Sequence, residues 1–247
     1  MAIALITAGG IGTRTGNKVP KQFITINDIP LIVYTMINVE KSNCYDGMYV
    51  ICSDGWRDFV TSYASQYGIS IFKGTISGGN SRFDSYYNGL KDLYGKCSHA
   101  EIISILDGNR PMTSKYIFER SIVAIKDGDC VLPLDKCYDS MYNADLTNRQ
   151  VVKTINRELL YRGQSPETCV LETAYNICLK EKQSAPEEDL TLTMIMLKNN
   201  KKVLFVEGSS LNFKITTNED FALFKALCPI FEKNNRKNSS VLGSICT

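Results

Sequence analysis

Short apolar runs recur along this chain with helix-length segments between them. Ala2-Ile-Ala-Leu-Ile-Thr7, Met48–Cys52, Ile102–Leu106, Cys130–Leu134 and Lys202–Glu207 each span five or six residues. A strand that is apolar at nearly every position is buried on both faces, the condition of a parallel sheet with helices on each side. Between these runs, Leu31–Val39 behind Pro30, Trp56–Tyr67 closed by Gly68, the stretch from the Gly78–Arg82 loop to Leu93, and 114–126 read as helices. Ile69–Phe72 reads as a further strand. The alternation predicts an α/β fold with a Rossmann-like, doubly wound, mostly parallel sheet and ligands at the carboxyl ends of its strands.

The rhythm breaks over 135–162, which is polar and carries a turn-like Asp145-Leu-Thr-Asn-Arg149 between two extended stretches. It predicts a hairpin-like β-arm projecting from the sheet. Helices follow near 170–181 and 188–198, and Thr216-Thr-Asn-Glu219 reads as a capping box for a last helix through Phe221–Leu227. Residues 1–231 read as one domain, and the Asn/Lys/Ser-rich 232–247 as a disordered tail.

A chain of 247 residues, 44% of them hydrophobic, buries enough surface to fold without disulfide or metal staples. With 28 Lys+Arg against 26 Asp+Glu it lacks the basic excess of a nucleic-acid binder. No apolar run is long enough for a membrane span, and the N-terminus lacks the basic region of a signal peptide. The nine cysteines show no CxxC spacing, which suits reduced thiols and a cytoplasmic location. His99 is the only histidine, which disfavours a zinc site.

The first run ends in Ala8-Gly-Gly-Ile-Gly-Thr-Arg-Thr-Gly16, followed by Pro20-Lys21-Gln22. Such a loop lets backbone N–H groups approach a phosphate or a base. A nicotinamide dinucleotide site needs an acidic residue about twenty positions on, at the end of the second strand. Glu40 is too distant and wrongly placed, so an oxidoreductase is disfavoured. Arg14 and Lys21 point instead to polyphosphate chemistry, in which fixed cations stabilise charge building on phosphoryl oxygens.

This segment resembles the signature of the cytidylyltransferases that activate sugar-alcohol phosphates, the methylerythritol-phosphate and ribitol-5-phosphate enzymes. Four more segments agree in order. They are Gly78-Gly-Asn-Ser-Arg-Phe-Asp-Ser85 with Asn88-Gly-Leu90, Asp107-Gly-Asn-Arg-Pro111, Arg157 with Gln164-Ser-Pro-Glu167, and Asn212-Phe-Lys-Ile-Thr216 with Glu219-Asp220. The resemblance implies a nucleotidyltransferase-type fold and in-line attack of an alditol phosphate on CTP, giving a CDP-alditol and pyrophosphate. It implies Arg14, Lys21 and Lys214 on the triphosphate and the transition state, and Mg²⁺ on Asp107. The nucleotide would lie on Ala8, Gly9, Gly10 and Gly12, against Gly79, Asn80 and Ser85. Arg110 would face the acceptor, and the arm would cross a homodimer so that Arg157 and Ser165 complete the neighbour's acceptor pocket.

The chain departs from the family pattern on the acceptor side. Lys136, Cys137 and Asp139 stand where Asp, Thr and Lys are usual, and Leu106 replaces a common His. Glu167 takes the place of an amide, and the Thr-Asp pair before the late helix has no clean match, with Asp189 and Thr191 nearest. A cation can meet an acceptor phosphate where an anion cannot, which adds Lys136 to the substrate-contacting candidates. The altered arm favours ribitol 5-phosphate or a related alditol or glycerol phosphate over methylerythritol phosphate. A nucleotide-binding protein without an acceptor site is the rival reading.

Overall fold

The computed structural model describes residues 1–9, 19–184 and 190–236. In chain order the strands are β1 (Ala2–Thr7), β2 (Thr25–Ile26), β3 (Ile29–Pro30), β4 (Gly47–Cys52), β5 (Phe72–Ser77), β6 (Ile102–Asp107) and β7 (Cys130–Lys136). They continue with β8 (Met141–Asp145), β9 (Gln150–Ile155), β10 (Tyr161–Gly163), β11 (Glu167–Val170) and β12 (Val203–Glu207). The helices are α1 (Leu31–Ser42), α2 (Arg57–Gln66), α3 (Arg82–Tyr94), α4 (Lys115–Ala124), α5 (Leu171–Lys182), α6 (Leu192–Lys198) and α7 (Asn218–Arg236).

The main sheet runs β5-β4-β1-β6-β11-β7, with β12 on the far edge of β7. Every neighbouring pair from β5 to β6 is parallel, and only β11 and β10 run against the rest. Alternate residues of β1 divide the core. Ala2, Ala4 and Ile6 pack with Tyr34, Phe118 and Phe224 from α1, α4 and α7. Ile3 and Leu5 pack with Leu90, Ala174 and Ile195 from α3, α5 and α6. This two-sided burial is why β1 is apolar throughout. On α3 a Cβ at Gly89 would lie 2.5 Å from Ile51 Cδ1, so any larger residue would displace that side chain from the core.

The order in which strands are added reverses between β1 and β6: the chain leaves β1 for β4 and β5 on one side and returns through α3 to β6 on the other. Thr7 at the end of β1 pairs with Ile51 and with Asp107, so the carboxyl ends of β1, β4 and β6 are level there. Such a switch point opens a crevice for ligands.

Several boundaries differ from the sequence reading. The third parallel strand is Phe72–Ser77 rather than Ile69–Phe72, because at the sheet edge pairing with β4 decides the strand and heavy apolarity is not required. Ile69 and Ile71 instead pack into the core as the turn that enters the strand. β11 is a strand that no local pattern in the sequence marks. It is short and polar, but its polar groups are paired: Ser104 and Thr168 hydroxyls meet at 2.8 Å, and Glu167 accepts from the first turn of α6. The capping box sits one residue later, with Thr217 Oγ1 accepting from Asp220 N–H while the Asp220 carboxylate accepts from Thr217 N–H. α7 continues through Arg236, so the helix takes in the start of the supposed tail; 237–247 lie outside the described residues. The late helix begins at Leu192, and 185–189, including Asp189, also lie outside them. The expected arm is a two-stranded antiparallel hairpin of β8 and β9, exposed along almost all its length.

Candidate active site at the carboxyl edge of the sheet

β6 is apolar but for Ser104 until its last residue, Asp107, which is buried at the switch point. Three cations converge on its carboxylate. Lys214 Nζ donates to Oδ1 at 3.0 Å, Arg82 Nη2 reaches the same oxygen at 3.3 Å, and Arg110 Nε donates to Oδ2 at 2.8 Å. Burial alone would push this carboxyl up; the facing charges of Lys214, Arg110 and Arg82 outweigh it and hold it well below the usual carboxylate range. One buried carboxylate thus gathers three cations at a single strand end.

The segment 212–216 brings in the most distant of them. Asn212 is fully buried and works as a hub. Its side chain donates to Gln164 Oε1 at 3.1 Å and to the Ser165 carbonyl at 2.9 Å, and accepts from Thr113 Oγ1 at 2.8 Å. Its own carbonyl accepts from Arg110 Nη1 at 2.6 Å. Ile215 and Asn109 exchange two further hydrogen bonds, which dock the segment on the turn after β6. Lys21, in a 3₁₀ turn behind Pro20, donates Nζ to the Thr216 carbonyl, so both expected lysines are anchored on this segment.

β10 and β11 lie end to end along β7, and the break between them at 164–166 faces the end of β6. Ser165 Oγ there accepts from the Asp107 N–H at 3.1 Å. A cavity of about 260 Å³ opens beside it, lined among others by Arg82, Asp107, Arg110, Ser165, Glu167 and Lys214.

Next to the cavity, the ends of β1 and β5 form a glycine-lined face. Ser85, in the first turn of α3, accepts from the Gly79 N–H and donates to the Ser81 carbonyl, both at 3.0 Å. Gly9 and Gly78 flank the same hydroxyl, where added Cβ atoms would lie 3.3 and 3.4 Å from it. A Cβ on Gly79 would sit 2.2 Å from Asp84 Cβ, so this loop conformation requires glycine there. Buried Gln22 donates to the Ala8 carbonyl, and Asn80 is exposed on the rim.

The structure therefore brings Asp107, Arg110, Ser165 and Lys214 together, with Lys21 on the same 212–216 segment, and sets Ala8, Gly9, Gly79 and Ser85 side by side. Arg14, Gly10 and Gly12 lie outside the described residues. At the base of the arm Lys136 pairs with Glu158 at 2.6 Å, and Arg157 donates to the Tyr138 carbonyl at 2.7 Å, away from the cavity of the same chain. Ser165 lines the cavity of its own chain. Sequence reasoning gave no role to Arg82, Gln164 or Asn212. All three stand inside the quoted motifs, but only the fold shows that they meet.

Asp107 is also the residue expected to hold Mg²⁺. Protein-held Mg²⁺ needs carboxylate oxygens free to coordinate it. Both oxygens here already accept from cations, and no group of three or more His, Cys, Asp or Glu side chains converges among the described residues.

A sequence model for the family described as 2-C-methyl-D-erythritol 4-phosphate cytidylyltransferase matches residues 2–228. The chain belongs to this family. Within this cytidylyltransferase family, the chain is 33% identical over 230 residues to the ribitol-5-phosphate cytidylyltransferase of Lacticaseibacillus paracasei, covering 92% of this chain and 97% of that one. It is 31% identical to the protein of the same name from Vibrio parahaemolyticus, covering 98% of this chain and all of the other. The 2-C-methyl-D-erythritol 4-phosphate cytidylyltransferase of Alkaliphilus oremlandii is also 31% identical, over 87% of this chain and 90% of that one. The crystal structure of 4-diphosphocytidyl-2C-methyl-D-erythritol synthase from Anaerococcus prevotii superposes with a TM-score of 0.76 at 24% identity, over 93% of this chain and 98% of that one, a likeness of fold. This cytidylyltransferase is a CTP-dependent nucleotidyltransferase. Among its described residues no helix is long and apolar enough to cross a membrane.

Proposed function

We propose that this protein transfers the cytidylyl group of CTP to a sugar-alcohol phosphate, ribitol 5-phosphate first among them, and releases pyrophosphate. The observation that carries the reading is the convergence of Lys214, Arg110 and Arg82 on Asp107 beside the glycine-lined face. An oxygen of the acceptor phosphate attacks the α-phosphorus of CTP, and the bond from that phosphorus to the oxygen bridging to the β-phosphoryl group breaks. The acceptor is already an anion, so no side chain has to remove a proton. Catalysis is alignment and neutralisation of phosphoryl charge. Lys21, Lys214 and Arg14 are the cations assigned to the nucleotide; Arg110 and Ser165 face the acceptor. Magnesium enters as part of the substrate, as MgCTP, rather than as a resident ion.

The names of the relatives at 33% and 31% identity support ribitol 5-phosphate, as do the altered residues at the arm. The test is pyrophosphate release from MgCTP with ribitol, arabinitol, mannitol, glycerol and methylerythritol phosphates, with Lys21→Ala as control. Release with ribitol 5-phosphate that is lost in the variant supports the reading. Turnover of methylerythritol phosphate alone replaces it with the isoprenoid-precursor reaction, and CTP binding with no release from any acceptor favours the rival binding protein.

Gly79→Ala probes the nucleotide face. Its methyl group has no room against Asp84 without moving the loop from Ser85. The KM for CTP is expected to rise about tenfold or more, with the acceptor KM little changed. An unchanged KM for CTP removes this loop from nucleotide binding.

We also propose a homodimer formed through the arm. Leu146, Val151 and Val152 are 88%, 68% and 64% exposed on a two-stranded hairpin, which by itself is marginally stable in water. Light scattering at micromolar concentration is expected to give twice the chain mass of 27.6 kDa. Val151→Asp with Val152→Asp is expected to lower that mass and raise the acceptor KM. A wild-type monomer with full activity rules out an arm acting across subunits.

A further inference from the structure

The cavity beside Asp107 is electrically lopsided. At the strand end its lining presents Lys214, Arg110 and Arg82 around one carboxylate. Glu167, the other carboxylate of the lining, lies deeper. It pairs with Ile105 of β6, two residues before Asp107, or about 7 Å further along the strand. Its oxygens accept from the N–H groups of Thr193 at 2.9 Å and Leu192 at 3.3 Å, which seats the first turn of α6 against the cavity. A carboxylate has about four acceptor positions, and these two bonds leave the others for a ligand. Thr191 and Thr193 line the same inner end, as does Tyr86, whose hydroxyl accepts from Arg82 Nε at 3.1 Å. The outer end suits a phosphate. The inner end is a carboxylate among hydroxyl groups, with only the edge of the Arg82 guanidinium reaching it through Tyr86, and suits a hydroxyl donor better than a further anion.

We propose that Glu167 determines what kind of tail an acceptor phosphate can carry into this cavity. The phosphate stays at Lys214 and Arg110, an uncharged polyhydroxyl tail runs inward and donates hydrogen bonds to Glu167, and acceptors ending in a carboxylate are excluded by like charge. This rests on the alditol-phosphate reading above and narrows it. The amide usual at this position in the family pattern would offer a neutral group and no such exclusion, so the carboxylate makes the filter a property of this chain. A group that only anchors α6 would alter stability but leave the ranking of tails untouched.

The test compares three acceptors of equal length in pyrophosphate release: ribitol 5-phosphate, ribonate 5-phosphate with a terminal carboxylate, and 1-amino-1-deoxyribitol 5-phosphate with a terminal ammonium. In the wild type the carboxylate tail is expected to lose about 100-fold in kcat/KM against ribitol 5-phosphate, since a like charge at close range in a desolvated site costs several kcal/mol. The ammonium tail is expected to stay within about tenfold of ribitol 5-phosphate, because an anionic wall accepts it. In Glu167→Gln the discrimination against the carboxylate tail is expected to shrink by about tenfold or more. Wild-type turnover of the carboxylate tail within about threefold of ribitol 5-phosphate overturns the proposal, as does an unchanged ratio in a folded Glu167→Gln. Should that variant fail to fold, the wild-type order of the three tails decides alone. Silence with all three acceptors takes away the alditol reading and this inference together, whereas release from ribitol 5-phosphate without discrimination takes away only the inference.

Discussion

Lys214→Ala is expected to lower kcat for pyrophosphate release by about 10³-fold while the KM for CTP changes only a few-fold. The side chain is one-third exposed at the cavity and held by one carboxylate oxygen. Phosphoryl charge arriving there competes with Asp107 for its ammonium group, and an interaction that strengthens as charge builds appears in kcat rather than in KM. The backbone around it is fixed independently by Ile215, Asn109 and Asn212, so the loss is expected without unfolding. Lys214→Arg is expected to recover part of the rate at most, because a planar guanidinium does not reproduce a point charge on a flexible stem. Steady-state kinetics on the three proteins settles this, and a kcat for Lys214→Ala within tenfold of wild type removes Lys214 from the transition state.

Asp107→Asn acts through the same cluster but on stability as well. Removing the anion leaves Lys214, Arg110 and Arg82 without the carboxylate that all three share. Breaking a buried ion pair from one side costs about 3 kcal/mol, which for a chain of this size lowers Tm by about 6–12 °C. The pH dependence has a definite sign. The native Asp107 carboxyl is held below its unfolded value, so its contribution is complete above the unfolded pKa of about 3.9 and is lost as pH falls through the lower native value. The Tm gap between wild type and variant is therefore expected to be flat from about pH 5 to 8 and to close below about pH 4. A gap that widens on acidification, or no gap at neutral pH, means that the three cations do not depend on Asp107.

Asp107 and Glu167 mark how far sequence could be read. Asp107 announces itself as the polar residue that ends a run buried on both faces, where an α/β sheet puts its ligands. Glu167 gives no such signal. It opens a four-residue strand that local pattern does not distinguish from a loop, and its cavity position comes from pairing with Ile105, 62 residues away. The displaced third strand has a related cause, since Phe72–Ser77 is a strand through its pairing with β4 and not through its own apolarity.

By itself the sequence determined the alternation of buried strands and helices, the glycine positions beside the first strand and before α3, the arm, and the motifs in their order along the chain. These follow from local causes: burial on two faces, backbone freedom and turn chemistry. Only the tertiary structure decided which charges meet. Arg82, Asp107 and Lys214 are separated by 25 and 107 residues, and Asp107 holds both cations. Both oxygens of the Asp107 carboxylate accept from cations, and Ser165 lines the cavity of its own chain beside it. Charge partners are set by how strands register and segments dock, and the buried carboxylate takes the cations that the fold delivers to it.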